Sequence, residues 1–183
     1  MSSGFSRVIQ GCMNWGKWGN SLSTNEMEKL IHFNLESGIS SFDHADIYGD
    51  YTTESDFGKA FKNSTVKRED IQLISKCGIQ YVGKSRPNNT VKHYQYDSSY
   101  IIYSAEKSIK DLNAEYLDLF LLHRPSPLMH PDEIRYGIEK LLNDGKIKSF
   151  GVSNFSNGQT DLISTSSKVS ANQIQFSLSH NRS

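Results

Sequence analysis

The sequence predicts an α/β fold in which parallel strands alternate with helices. Six short apolar runs of strand-like length are separated by amphipathic windows with a helical period. Reactive polar residues follow several of these runs, and no Pro-rich or Gly/Ser-rich linker divides the chain. The alternation implies parallel strands joined by right-handed crossovers, and residues 1–183 are expected to form a single domain.

The first half of the chain contains three predicted strands and two predicted helices. The strands are expected at residues 7–10, 39–42 and 71–75. Thr24 is expected to cap the first helix, which places its apolar residues on one face and ends at Gly38. The second helix is expected to begin near Thr53 and to bury Phe57 and Phe61.

A long polar segment at residues 78–96 precedes the second half of the chain. Its Tyr81, Tyr94 and Tyr96 are side chains that a ligand could contact, and a disordered surface loop explains the segment equally well. Three strands are expected beyond it, at residues 117–122, 149–152 and 172–176. The intervening helices are expected after the cap Asp97, from Pro131 to Gly145, and after the cap Ser156.

The alternation alone fits a barrel or a doubly wound open sheet. A doubly wound dinucleotide-binding sheet would carry a Gly-rich fingerprint after its first strand, and only the weak element at residues 16–19 is present. Reactive residues follow several different strands, which is typical of a barrel. We therefore predict an α/β fold of the barrel type.

Composition excludes several classes of function. The chain has 20 basic and 20 acidic residues and an isoelectric point near 7.0, so neither a nucleic acid nor a membrane surface is expected as a partner. No apolar stretch reaches the length of a membrane span, and the N-terminus lacks the apolar core of a signal peptide. Two distant cysteines make no disulfide framework, so a reduced, cytoplasmic protein is expected.

Four reactive residues, Asp43, Tyr48, Lys76 and His123, follow predicted strands in this order. Reduction of a carbonyl needs a hydride at carbon and a proton at oxygen. Tyr48 is the candidate proton donor, and an adjacent Lys76 ammonium would lower the pKa of its phenol. Asp43 would supply the counter-charge of the lysine, and His123 would donate a hydrogen bond to the carbonyl oxygen.

Each of these residues alone has an ordinary structural explanation, and only the ordered set argues for catalysis. A competing interpretation is a metal site built from His44, Asp46 and His123. No further histidine or carboxylate follows another strand to complete it, so no metal is expected. Cys77 is expected to be a small buried residue.

Five sequence motifs resemble those of the aldo-keto reductase family. They are D-H-A-D-I-Y-G (43–49), S-K-C-G (75–78), Y-L-D-L-F-L-L-H-R-P (116–125), G-K-I-K-S-F-G-V-S-N-F (145–155) and N-Q-I-Q-F (172–176). The resemblance covers residues 7–176 and is nearest to a bacterial branch of oxidoreductases. It implies NADP-dependent reduction of a small aldehyde or ketone to the alcohol, on a TIM (β/α)8-barrel, with the four residues above as the catalytic set.

The resemblance also implies residues that hold the cofactor. Ser153, Asn154 and Gln173 correspond to family residues that bind the nicotinamide carboxamide, and amide or hydroxyl groups suit that task. Asp43 and, with a weaker correspondence, Met13 are expected near the same cofactor. Arg124 follows the histidine where some relatives have tryptophan, so their substrate specificity does not transfer.

The number of strands departs from the family pattern. A complete barrel of this type has eight strands and about 250 residues, whereas about six βα units are present here. The family loops that bind the cofactor's phosphates and adenine would come later. An alternative is therefore a truncated, catalytically impaired relative that acts as a binding or regulatory module, or without activity. Unpaired strand edges near Val8 and Ile174 are expected to promote oligomers or leave the monomer marginally stable.

Overall fold

The computed structural model describes residues 4–177 and contains one parallel six-stranded sheet with a small hairpin beside it. The strands are β1 (Ile9–Gly11), β2 (Ser41–Asp43), β3 (Gln72–Cys77), β4 (Ile79–Gln80), β5 (His93–Tyr94), β6 (Leu119–Leu122), β7 (Phe150–Ser153) and β8 (Asn172–Gln173). The sheet runs in the order β1-β2-β3-β6-β7-β8, and β4 and β5 form the antiparallel hairpin. Sequential parallel neighbours are what a curled half-barrel requires, so the predicted fold class is confirmed.

Helices follow the strands of the sheet and cover its outer face. They are α1 (Thr24–Glu36), the short α2 (Tyr48–Tyr51), α3 (Thr53–Asn63), α4 (Ser98–Asp111), α5 (Pro131–Asn143) and α6 (Asn157–Ser164). Asp97 and Ser156 cap α4 and α6 as expected. The cap of α1 is Ser23 rather than Thr24, because Ser23 and Glu26 form a reciprocal capping box.

The two faces of the sheet separate a helix-covered core from a concave inner surface. Leu73 on β3 and Phe120 on β6 are fully buried beneath the helices. Their neighbours Ile74, Leu119 and Leu121 form a second apolar cluster on the opposite, inner face. This period-two alternation along parallel strands assigns every second residue to the inner surface.

The polar segment at residues 78–96 contains the β4–β5 hairpin, which the sequence did not predict. Gln80 accepts side-chain hydrogen bonds from Arg86 and Asn89 across the connecting loop. Tyr96 is buried rather than available to a ligand, and its hydroxyl donates to the Arg124 carbonyl. Two-residue strands are too short to produce a readable period, which explains why sequence analysis missed them.

Other elements agree with expectation within a few residues. The last strand ends at Gln173, which is earlier than the predicted end at residue 176. Cys12 and Cys77 are unpaired buried thiols, as predicted for Cys77. Within residues 4–177, no helix is long and apolar enough to cross a membrane.

The two outer strands of the sheet, β1 and β8, each pair with one neighbour among residues 4–177. Ile9 on β1 and Ile174 beside β8 are exposed, and Phe176 is 77% exposed. Between these edges the inner face encloses an apolar cavity of about 540 Å³ that includes Ile74 and Leu121. Open strand edges next to apolar surface favour association.

We expect the chain to associate through these edges, or to be only marginally stable as a monomer. In light scattering coupled to size-exclusion chromatography, the mass should exceed that of the monomer and rise with protein concentration. Ile9→Lys and Ile174→Lys should shift the mass toward the monomer, because charged edge residues oppose strand pairing. Phe33→Lys, on the exposed surface of α1, is the matched control. A stable, monodisperse parent monomer would contradict this expectation.

Candidate active site

The Lys76 ammonium contacts two of the other predicted catalytic residues, Asp43 and Tyr48. Lys76 is 2% exposed, and its Nζ donates to Asp43 Oδ1 at 2.7 Å and to the His44 carbonyl at 2.7 Å. A third hydrogen bond reaches the Tyr48 hydroxyl at 3.3 Å. Asp43 lies opposite Ile74 in the β2–β3 register, so Lys76, two residues beyond, shares the inner face with it. The ammonium therefore has three acceptors and is itself almost fully buried.

Tyr48 begins the short α2, which follows β2 after four residues. Gly49 has φ 60°, and a Cβ there would lie 2.4 Å from Thr53 Oγ1, so only glycine fits. Asp46 anchors the preceding residues by accepting hydrogen bonds from Tyr100 at 3.1 Å and Ser104 at 3.0 Å, both on α4. This anchoring fixes the phenol relative to Lys76.

His123 faces Tyr48 from the end of β6. The two ring centroids are 6.0 Å apart with an interplanar angle of 78°, and the His123 backbone N–H donates to the Cys77 carbonyl at 2.9 Å. Burial, together with the positive charge of Lys76, lowers the pKa of His123 to about 3. A neutral imidazole retains one N–H, which is sufficient to donate a hydrogen bond to a carbonyl oxygen.

The expected lowering of the Tyr48 pKa by Lys76 is outweighed in this site. Burial raises the pKa of the phenol above its usual value of 10.0 and is the largest effect. The ammonium of Lys76 lowers it, and the carboxylate of Asp43 partly opposes that effect. Tyr48 is therefore a protonated phenol at neutral pH, which suits a proton donor.

Ser153, Asn154 and Gln173 come together at the ends of β7 and β8. The Ser153 hydroxyl donates to the Gln173 carbonyl at 3.0 Å, and Asn154 Nδ2 donates to Ser153 Oγ at 2.8 Å. Asn154 has φ 61°, a left-handed conformation that asparagine tolerates better than most residues. Its amide also donates to the His123 carbonyl at 3.4 Å. These uncharged groups therefore adjoin the end of β6 that carries His123.

Sequence analysis missed a buried acid behind the lysine strand. Glu54 on α3 is 3% exposed and accepts hydrogen bonds from Ser75 at 2.5 Å and Ser108 at 2.8 Å. Burial is the main cause that raises the pKa of Glu54 to about 7. Glu54 shares a helical spacing with the buried Phe57 and Phe61, and this spacing was the sequence signal that could have predicted its burial. The Ser75–Glu54 hydrogen bond links β3 to α3 one residue before Lys76.

The residues proposed for a metal site point in different directions. The His44 ring packs edge-on against Phe57, with centroids 4.5 Å apart, whereas Asp46 faces α4. His123 instead lines the cavity beside Tyr48. Within the described part of the chain, no group of three or more histidine, cysteine or acidic side chains is placed to hold a metal ion.

A cavity of about 340 Å³ opens over Tyr48 and His123. Met13, from the first βα loop, lines it together with Trp18 and Tyr81. Of the three tyrosines in the polar segment, Tyr81 and Tyr94 line the cavity and Tyr96 does not. Lys92 and Arg124 also line it, and sequence analysis did not propose a role for either.

Together, the half-barrel and the Asp43–Lys76–Tyr48 contacts at its strand ends define an α/β protein of the barrel type with a buried ion pair beside a phenol. Residues 7–183 match the model of the aldo/keto reductase family. The chain belongs to this family, which confirms the predicted resemblance.

Relatives with curated names are oxidoreductases. The chain is 41% identical to the uncharacterized oxidoreductase YcsN of Bacillus subtilis over 94% of its own length and 58% of that protein. It is 38% identical to oxidoreductase YdhF of Escherichia coli over 96% and 58% of the two lengths. A 6-dehydroglucose reductase of Agrobacterium fabrum is 34% identical over 94% and 59%. The chain thus spans somewhat more than half the length of these relatives.

Solved structures agree on the fold. A glycerol dehydrogenase from Gluconobacter oxydans superposes with a TM-score of 0.80 at 27% identity, over 99% of this chain and 57% of that one. The holo form of an aldo-keto reductase from Bacillus halodurans gives 0.79 at 25% identity, over 94% and 54%. The chain therefore spans somewhat more than half the length of these two structures.

The buried His44 ring allows a test of how side chains pack between the sheet and the helices on its outer face. Both ring nitrogens are buried without hydrogen-bond partners in the described structure, and burial lowers the pKa of His44 to about 3 from 6.5. The folded state therefore loses stability as pH falls from 6.5 toward 3, because the unfolded chain binds the proton more readily. His44→Leu should raise the free energy of unfolding by about 1 kcal/mol at pH 7, and by more at lower pH.

Urea unfolding between pH 7 and pH 5 measures both effects. His130→Leu, at an exposed imidazole before α5, is the control and should leave the pH dependence unchanged. A His44→Leu variant that is destabilised at every pH would show that the imidazole makes favourable contacts after all.

Proposed function

We propose that this site reduces aldehyde or ketone carbonyls to alcohols with NADP(H). The observation that carries the proposal is the single buried ammonium of Lys76, which contacts both the Tyr48 hydroxyl and the Asp43 carboxylate. The family assignment supports it, as do relatives named for reductase and dehydrogenase activities. NADP(H) rather than NAD(H) is proposed from the family resemblance alone.

The residues at the ends of β7 and β8 suit a nicotinamide carboxamide. Ser153, Asn154 and Gln173 offer hydroxyl and amide groups, which match the donors and acceptors of a neutral amide. In this proposal they bind the carboxamide, with Asp43 and Met13 close to the ring. The nicotinamide would supply the hydride that reaches the carbonyl carbon.

In this proposal, Tyr48 supplies the proton and the residues around it stabilise the charges that form. Tyr48 donates its hydroxyl proton to the carbonyl oxygen as that oxygen gains charge, and the phenolate left behind is stabilised by Lys76 at 3.3 Å. Asp43 forms an ion pair with this ammonium at 2.7 Å and so fixes its position. The neutral His123 donates a hydrogen bond to the same carbonyl oxygen, which orients and polarises it.

Tyr48→Phe tests this assignment. Loss of the proton donor should lower the rate of NADPH oxidation with a small aldehyde by about 10²–10⁴-fold. NADPH affinity, followed by cofactor fluorescence, should stay nearly the same, because the phenol is not assigned to cofactor binding. Tyr136→Phe, at an exposed tyrosine on α5, is the control for phenol removal. Undiminished turnover in Tyr48→Phe would refute the mechanism.

A second candidate is a binding or regulatory module without turnover. Its support is the open sheet, in which β1 and β8 have one neighbour each within residues 4–177. NADPH titration and aldehyde turnover of the parent chain separate the candidates. Tight binding with turnover favours the reductase, whereas absence of turnover at saturating cofactor favours the module.

A further inference from the structure

The cavity above Tyr48 and His123 carries two cationic side chains that the proposed chemistry does not use. Lys92 lies just before β5, and Arg124 directly follows His123. Neither forms an ion pair or a side-chain hydrogen bond among residues 4–177. Both positive charges lower the pKa of His123, which places them near the reacting end of the cavity.

The backbone around Arg124 is held firmly, although its side chain is exposed. The buried Tyr96 hydroxyl donates to the Arg124 carbonyl at 2.5 Å and accepts from the Arg124 N–H at 3.2 Å. Lys92 directly precedes β5 of the β4–β5 hairpin. The cavity therefore has one cation on a backbone that Tyr96 holds and one beside the hairpin, whose Ile79 and Tyr94 also line the cavity.

The charges that line the cavity do not cancel. Lys76 and Asp43 compensate each other beneath Tyr48, and His123 is neutral. Among the described residues, no carboxylate lines the cavity to offset Lys92 and Arg124. Since opposite charge is what such a surface attracts, a ligand with a negative group fits better than a neutral one.

Aromatic rings supply the rest of the wall. Trp18 and Tyr81 meet edge to face with centroids 5.7 Å apart, and Tyr94 lines the same space. A volume of about 340 Å³ admits only a small molecule. Rings of this kind pack well against a planar or compact apolar body.

We propose that the carbonyl substrate of this site carries an anionic group, a carboxylate or a phosphate monoester, at the end remote from its carbonyl. The carbonyl lies at Tyr48 and His123, the body of the substrate packs on the aromatic wall, and the anion lies between Lys92 and Arg124. The inference rests on the proposed reductase function for the identity of the carbonyl end. The anion preference itself is a binding property and can be measured without turnover.

The test is a ligand titration followed by tryptophan fluorescence, since Trp18 lines the cavity whereas Trp15 is buried in the core. The probes are 4-carboxybenzaldehyde and 4-carbamoylbenzaldehyde, which share shape and differ in charge. The carboxylate should bind about 3–10-fold more tightly at low salt, and the difference should shrink as ionic strength rises. Glyceraldehyde 3-phosphate against glyceraldehyde gives the phosphate arm, and the pair with the larger ratio identifies the anion.

Charge removal completes the test. Lys92→Gln and Arg124→Gln should each reduce the affinity ratio, and together they should bring it to about 1. Lys84→Gln, an exposed lysine of the same hairpin loop that does not line the cavity, should keep the parent ratio. Equal binding of charged and neutral probes, no binding of either, or an equal loss in Lys84→Gln would overturn the inference.

The inference and the proposed function fail in different ways. Charge-dependent binding without turnover would retain the anion site and remove the reductase. Turnover that depends on Tyr48, with equal preference for the two probes, would retain the reductase and remove the anion site.

Discussion

The buried ammonium of Lys76 is the interaction on which the candidate site depends. An uncompensated charge inside a protein is strongly unfavourable, and even a buried ion pair is stable only with good geometry and further hydrogen bonds. Asp43, the His44 carbonyl and Tyr48 meet that requirement at the ends of β2 and β3. The same contacts that make the charge tolerable therefore place a carboxylate and a phenol next to it.

The outer face of the same strands holds this arrangement in place. Because side chains alternate along a strand, the residues beside the inner charges point toward the helices, where Ser75 meets Glu54. Asp46 reaches Tyr100 and Ser104 on α4 and so fixes the turn that carries Tyr48. Burial raises the pKa of both acids, to about 6 for Asp46 and about 7 for Glu54, and the hydrogen bonds from their hydroxyl partners offset it only in part. Polar contacts on the outer face of the sheet thus help to position Asp43, Lys76 and Tyr48 on its inner side.

Sequence reasoning predicts the features that depend on period and order. Apolar runs located the six strands of the sheet, and the chemical types of Asp43, Tyr48 and Lys76 predicted contacts that the structure contains. It failed where the outcome depends on three-dimensional burial. The pKa of Tyr48 rises because desolvation exceeds the effect of Lys76, and no sequence pattern reports that balance. Lys92 comes from a distant hairpin, so its place in the cavity follows from topology alone.

A double-mutant cycle on Asp43 and Lys76 tests the central claim most directly. Asp43→Asn alone leaves the ammonium uncompensated, and Lys76→Met alone leaves the carboxylate without its partner. If the buried pair is the constraint described above, the double variant should be less destabilised than the sum of the single variants, with a coupling free energy of about 1–3 kcal/mol in urea unfolding. Single-variant losses that add within about 0.5 kcal/mol would contradict the account, because the two charges would then act independently.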